Sequence, residues 1–115
     1  MSITIYHNPR CSKSRRTLQL LAEHDVDVDI VEYLKTPPDV DELTRIIDLL
    51  GLEPRQVMRI EEPVYKEKGF DDPTLSRRQL IEAMVGDPVL IQRPIVIAGD
   101  RARIGRPPEA VLEII

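Results

Sequence analysis

The order of the hydrophobic patterns constrains this chain more than any other feature. Ile3-Thr4-Ile5-Tyr6 is a β-branched and aromatic run that ends in the turn cluster His7-Asn8-Pro9. From residue 14 to 23, Leu18, Leu21 and Ala22 recur at helical spacing, with Leu20 widening the stripe. Residues 26–33 then alternate: Val26, Val28 and Ile30 lie opposite Asp27, Asp29 and Val31, a period of two that predicts a second strand. Much later, Ile95-Val96-Ile97-Ala98, Gly99-Asp100 and Arg101 to Ile104 carry a hairpin signal, with Gly at the first of two turn positions as a type II′ turn requires. A last short helix is expected from Pro107-Pro108, carrying Ala110, Val111, Leu112 and Ile115. A βαβ start and a ββα end imply an α/β fold on a mixed sheet.

The middle reads as helical. Thr36-Pro37-Pro38-Asp39 predicts a helix start with Thr36 as N-cap, Pro at the first helical position and the acid at N3. Val40, Leu43, Ile46, Ile47 and Leu50 repeat helically up to Gly51, a fitting residue just past a helix end. Residues 53–72 are patterned weakly enough to predict only short helical pieces. Ser76-Arg77-Arg78-Gln79 matches a capping box, Leu80, Ile81, Met84 and Val85 form the following apolar face, and Gly86 and Pro88 close it.

At 115 residues the chain is expected to form a single domain over 1–115. With no Trp, one Phe and three Tyr, its core has to be built from Leu, Ile and Val. The net charge of −4, from 20 acidic and 16 basic residues, argues against nucleic acid and anionic membrane as partners. No apolar run approaches a bilayer span, and MSITIYHNPR lacks the apolar region of a secretory signal, so a cytoplasmic location is expected.

The single cysteine, Cys11, allows neither an internal disulfide nor a cysteine-based zinc site, so no metal is expected. It stands between a predicted strand and a predicted helix, where free N–H groups and the positive dipole end favour an anion. Arg10, Lys13, Arg15 and Arg16 add positive charge close by in sequence. An ordinary thiol of pKa ~8.5 is about 3% thiolate at neutral pH, whereas one of pKa ~6.5 is roughly three-quarters ionised. Those features favour a reactive thiolate over a small buried hydrophobe. In Cys11-Ser12-Lys13-Ser14 a hydroxyl replaces the second thiol of a C-x-x-C motif, so any oxidised form of Cys11 needs an external reductant. Ser14 is a candidate donor to the thiolate and, equally, a helix N-terminal cap. His7 is a candidate for polarising the thiol or moving a proton, and Asn8 for supporting the loop.

Arg59, between Met58 and Ile60, Arg93 before Pro94 and Arg106 before Pro107 form a second group. Guanidinium suits tetrahedral oxyanions because its planar fork offers paired donors and never deprotonates. A thiolate with several arginines provides what displacement at an oxyanion centre needs. The C-x5-R motif of thiol phosphatases is absent, since Thr17 stands six after Cys11.

The run Ile5-Tyr6-His7-Asn8-Pro9-Arg10-Cys11-Ser12-Lys13-Ser14-Arg15 resembles the signature of the glutaredoxin-coupled arsenate reductases, a thioredoxin-like family. Tyr33-Leu34-Lys35-Thr36-Pro37-Pro38, Arg59 within residues 58–63, Arg93-Pro94-Ile95-Val96 and Gly105-Arg106-Pro107 extend the resemblance over essentially the whole chain. It implies a thioredoxin-like fold with a mixed four-stranded sheet and a helical insertion between the βαβ and ββα halves. It also implies that Pro94 is a cis-proline facing the Cys11 loop, that Cys11 is the nucleophile with His7 and Ser14 beside it, and that Arg59, Arg93 and Arg106 line an oxyanion site. The activity implied is reduction of arsenate to arsenite, with glutathione as co-substrate, glutaredoxin as partner and no bound cofactor. Two other readings stay open: a regulator resembling the Spx-type proteins that contact RNA polymerase, and a general monothiol oxidoreductase acting on glutathione mixed disulfides.

Overall fold

A computed structural model describes residues 3–115. The chain divides into two compact units, one made of the residues up to Thr36 together with Arg93–Ile115, the other of Pro37–Gln92.

The first unit is the sheet unit. Its strands are β1 (Ile3–Tyr6), β2 (Val28–Val31), β3 (Ile95–Ala98) and β4 (Arg101–Ile104). They form one four-stranded sheet in the order β2-β1-β3-β4, with β1 parallel to β2 and antiparallel to β3, and β3 antiparallel to β4. The most apolar strands take the two central places. In register, Ile5 faces Val96 and Ile3 faces Ala98. Directly opposed residues share a face, and so do residues two apart. These four therefore make one apolar surface, which Leu21, Val111 and Ile114 cover; all seven are almost wholly buried. Leu21 comes from helix α1 (Ser12–Glu23), which begins two residues earlier than its apolar stripe suggested. The parallel pair β1–β2 forces a crossover, and α1 supplies it.

Three expectations for this unit are corrected. The second strand is shorter than residues 26–33, and its alternation does not hold: Ile30 is 52% exposed while Val26 and Val28 pack on the core. β2 is an edge strand, so one of its flanks lacks the neighbour that would cover Ile30. The last helix is a 3₁₀ segment, Pro108–Ile114, and not α-helical. Its buried residues Val111 and Ile114 are three apart, which matches three residues per turn, while Ile115 is partly exposed. The hairpin is as expected: Ala98 pairs with Arg101, and Gly99 alone of the two turn residues has a positive φ, +63°.

The second unit is helical: α2 (Val40–Leu50), α3 (Pro63–Glu67) and α4 (Arg77–Gly86), with 3₁₀ turns at Pro54–Gln56 and Pro88–Leu90. The short pieces expected in residues 53–72 are thus a 3₁₀ turn and a five-residue helix. Leu43, Ile46 and Ile47 of α2 and Leu80, Ile81 and Met84 of α4 are its buried stripes. The α4 capping box forms as written, with Ser76 and Gln79 each accepting from the other's backbone N–H.

The cap of α2 is a correction. Asp39, not Thr36, is the N-cap, its carboxylate accepting from the Glu42 N–H at 2.8 Å. Thr36 as cap would require Pro37 to be helical, and a residue before proline is pushed out of the α region by Pro38. Asp39→Ala is expected to lower stability by about 1 kcal/mol. A urea melt of the variant measures it; an unchanged midpoint would deny the cap its role.

Candidate active site

The sheet unit carries a cysteine site. β1 ends at Tyr6, and residues 7–11 form the loop that starts α1. The loop is tied at every turn: the His7 N–H donates to the Val31 carbonyl (2.8 Å), the Cys11 N–H to the Asn8 carbonyl (3.0 Å) and the Arg10 N–H to Asn8 Oδ1 (3.0 Å). Arg15 Nη1 donates to the Pro9 carbonyl at 3.0 Å. Asn8 thus closes an Asx turn with its side chain, a loop-fixing task its short amide suits.

Cys11 is the N-cap residue of α1, in extended conformation, and is mostly buried. Its sulfur accepts no hydrogen bond of full capping geometry, but the N–H groups of the first helical turn point toward it. Burial alone would push the thiol upward. The opposing influences win: the Ser14 N–H, the charge of Arg93, the Lys13 N–H and a hydrogen bond from the Arg93 side chain hold it below the ordinary thiol range.

Ser14 therefore faces the sulfur through its backbone. Its hydroxyl is occupied elsewhere, 2.6 Å from His7 Nδ1 and accepting from the Asn8 N–H at 3.0 Å. Because Ser14 Oγ receives the Asn8 proton, its own proton is available to Nδ1 of a neutral imidazole. His7 is 6% exposed, and that burial is the main reason its pKa lies below the usual value; Arg15 adds to the lowering and Glu32 opposes it. A neutral imidazole at pH 7 follows.

Two arginines of the same unit flank the β3–β4 hairpin. Arg93 enters β3 through a cis peptide to Pro94, and Arg106 leaves β4 through a cis peptide to Pro107. Arg106 Nε donates to the Arg93 carbonyl at 2.9 Å, fastening the two segments together. Beside the loop, a mostly apolar pocket of about 180 Å³ opens between His7–Arg10 and the Glu32, Leu34 and Lys35 side chains. Among the described residues, no cluster of His, Cys, Asp and Glu could hold a metal ion, and no helix is long and apolar enough to cross a membrane.

Arg59 belongs to the helical unit. Its N–H donates to the Leu90 carbonyl at 2.7 Å, next to the Met58–Ile91 bridge. Its guanidinium is largely buried, with Nη1 2.7 Å from Glu62 and Nε 3.7 Å from Glu61, and Nε makes no hydrogen bond. A carboxylate already answers this cation, so an oxyanion at Arg59 has to compete with Glu62.

The ArsC family model matches residues 6–114. The chain belongs to the ArsC family. It is 53% identical to the uncharacterized protein YfgD of Escherichia coli K12 over 98% of this chain and 96% of that one. It is 48% identical to the arsenate reductase of Haemophilus influenzae over the full length of both. The solved arsenate reductase from Vibrio cholerae superposes with a TM-score of 0.97 at 51% identity, covering 100% of this chain and 98% of that one. The fold of this ArsC-family chain is accordingly thioredoxin-like, with the mixed four-stranded sheet.

The structure adds three residues to those expected from sequence, two in the unit of the cysteine loop and one beside Arg59 in the helical unit. Lys13 adds positive charge in sequence, yet it faces the sulfur with its backbone N–H. Glu62 follows Arg59 by three residues, a spacing that signals an ion pair. Glu32 borders both His7 and the pocket, and nothing in sequence alone joined it to residue 7.

The direction of the thiol shift predicts a pH profile. Alkylation of Cys11 by iodoacetamide should reach half its maximal rate at a lower pH in the folded protein than in urea. A group whose folded pKa is depressed adds stability that is present above its unfolded pKa and is lost as pH falls through the folded one. For His7 the lowered pKa means that protonation favours the unfolded chain below about 6.5. Both signs agree, so the protein should lose stability on acidification. Coincident folded and unfolded alkylation curves would contradict the thiol assignment.

Proposed function

We propose that this chain reduces arsenate to arsenite with Cys11 as nucleophile, glutathione as electron donor and glutaredoxin as the protein that regenerates the thiol. The single observation carrying the reading is a lone cysteine at the start of α1 whose thiolate is favoured by helix N–H groups and the Arg93 guanidinium. Membership of a family whose relatives include named arsenate reductases supports the choice of oxyanion.

Cys11 thiolate attacks arsenic, forming an S–As bond, and one arsenate oxygen leaves as water after protonation. Glutathione thiolate then attacks the Cys11 sulfur. A disulfide bond forms, the S–As bond breaks, and its electron pair passes to arsenic, which departs as As(III). The Cys11–glutathione disulfide is reduced through glutaredoxin by a second glutathione, leaving oxidised glutathione and the free thiolate. Arg93 and Arg106 bind the oxyanion and neutralise charge developing on it. His7, a neutral imidazole four residues before Cys11, passes a proton to the departing oxygen, and Ser14 holds the ring in place. Asn8 and Pro94 shape the loop and its facing wall. Arg59 enters as a third substrate arginine from the resemblance alone.

The test is a coupled assay: NADPH consumption with arsenate, glutathione, glutaredoxin and glutathione reductase, and a parallel assay with a glutathionylated peptide in place of arsenate. Arsenate-dependent consumption supports the reading. Turnover of the peptide with none of arsenate replaces it with a general monothiol oxidoreductase.

A further inference from the structure

Gly105 follows β4 and is buried. Its N–H donates to the Pro94 carbonyl at 2.9 Å, and the next residue donates from Arg106 Nε to the Arg93 carbonyl, also at 2.9 Å. Residues 105 and 106 are thus strapped to the Arg93-Pro94 peptide. Position 105 is not glycine for the sake of its backbone, because Gly105 is absent from the glycines with positive φ. The reason is space. A Cβ there would stand 2.6 Å from Thr17 Oγ1 and 2.7 Å from Pro94 Cγ. Non-bonded heavy atoms rest at about 3.5–4.0 Å, so a methyl fits on neither side.

Neither wall yields easily. Thr17 is fully buried on α1, and its hydroxyl donates to the Lys13 carbonyl at 2.8 Å. Pro94 Cγ sits in a closed ring whose carbonyl is the partner of Gly105 itself. One wall belongs to the helix whose first turn surrounds the Cys11 sulfur. The other is bonded directly to Arg93.

We propose that Gly105 is a positioning residue: its missing side chain lets the Arg93-Pro94 peptide seat against α1, which sets how closely the Arg93 guanidinium stands to Cys11. The inference rests on the reading of Cys11 as a thiolate held by Arg93. Any side chain at 105 wedges Pro94 away from Thr17, and Arg93 moves with it.

The experiment is iodoacetamide alkylation of Cys11 against pH in Gly105→Ala, with circular dichroism to confirm folding. Cys11 is the only thiol, so every adduct reports on it. The titration of the folded variant should shift upward, slowing alkylation at pH ~6 by roughly 3- to 10-fold, since thiolate falls tenfold per unit below both pKa values. Gly105→Ala with Thr17→Ala removes one of the two walls and gives residue 105 room to shift toward α1, so it should recover part of that rate. A purely structural glycine would lower the melting temperature and leave the titration where it was. If folded Gly105→Ala follows the curve of the unsubstituted protein, the proposal is overturned. Should Gly105→Ala fail to fold, Thr17→Ile crowds the same crevice from the helix, and its titration must shift upward too or the proposal is equally overturned. No arsenate is present, so failure of the substrate assignment leaves the result unchanged.

Discussion

Cys11→Ser is expected to abolish glutathione-dependent arsenate reduction, a loss of at least about 10³-fold that leaves only background. Two separate steps fail. A serine hydroxyl stays protonated at neutral pH, so the helix N–H groups and Arg93, which favour an anion at the sulfur, have none to favour. Beyond that, a serine oxygen cannot form the disulfide that carries two electrons to arsenic, so even a slow ester with arsenate would be a dead end. The fold should survive, because Cys11 is an N-cap residue and serine is among the best N-caps. An unchanged melting temperature with lost activity, and no glutathione adduct by mass spectrometry, would be the full result. Retained turnover in the coupled assay would remove Cys11 from the chemistry.

Much of the sheet unit was legible because its signals are local and strong. Ile3-Thr4-Ile5-Tyr6 and Ile95-Val96-Ile97-Ala98 read as strands for the same reason that they occupy the sheet centre: both bury nearly every side chain. Gly99 announced the hairpin through the one backbone conformation it alone tolerates well. The failures occur where the environment, rather than the residue, decides. Ile30 has the pattern of a core residue but sits on an edge strand, and strand order depends on pairings remote in sequence. Residues 108–114 contain enough apolar positions for an α-helix, and only the buried pair Val111 and Ile114 identifies the tighter winding. At α2, two good caps compete within four residues, and the steric rule for residues before proline decides between them.

The site divides along the same line. Cys11 was conspicuous as a lone thiol between a strand and a helix. What the sequence could not assign was the direction of each side chain. Ser14 was a candidate donor to the sulfur, yet its hydroxyl is turned to His7 while its N–H does the facing. The helix geometry accounts for this: a residue three past the N-cap aims its N–H back at the cap side chain. Arg93 and Arg106 were legible as arginines before prolines, but the Arg106–Arg93 carbonyl bond joins positions thirteen apart through a hairpin. Gly105 was visible only as part of a Gly-Arg-Pro run; the crowding that fixes it is a three-dimensional fact.

Arg93→Ala is the second large effect, and it should act on two observables at once. A hydrogen bond to a charged partner is worth about 1.5–3 kcal/mol, so loss of the guanidinium should lower kcat/KM for arsenate by roughly 10- to 100-fold. The same change removes both contributions of Arg93 to the thiol, its charge and its side-chain hydrogen bond. Burial, which raises the thiol, is then opposed only by the Ser14 and Lys13 N–H groups, so the alkylation midpoint moves toward the ordinary range. The two losses separate by pH. The deficit due to protonation should shrink as the assay is taken above the new thiol pKa, whereas a deficit in oxyanion binding should persist as a raised KM. Arg93→Lys sharpens the division. An ammonium keeps the positive charge but offers no planar fork, so it should preserve most of the thiol's acidity while recovering little of the arsenate affinity. An Arg93→Ala protein with unchanged KM and an unchanged alkylation curve would leave Arg93 without a part in either task.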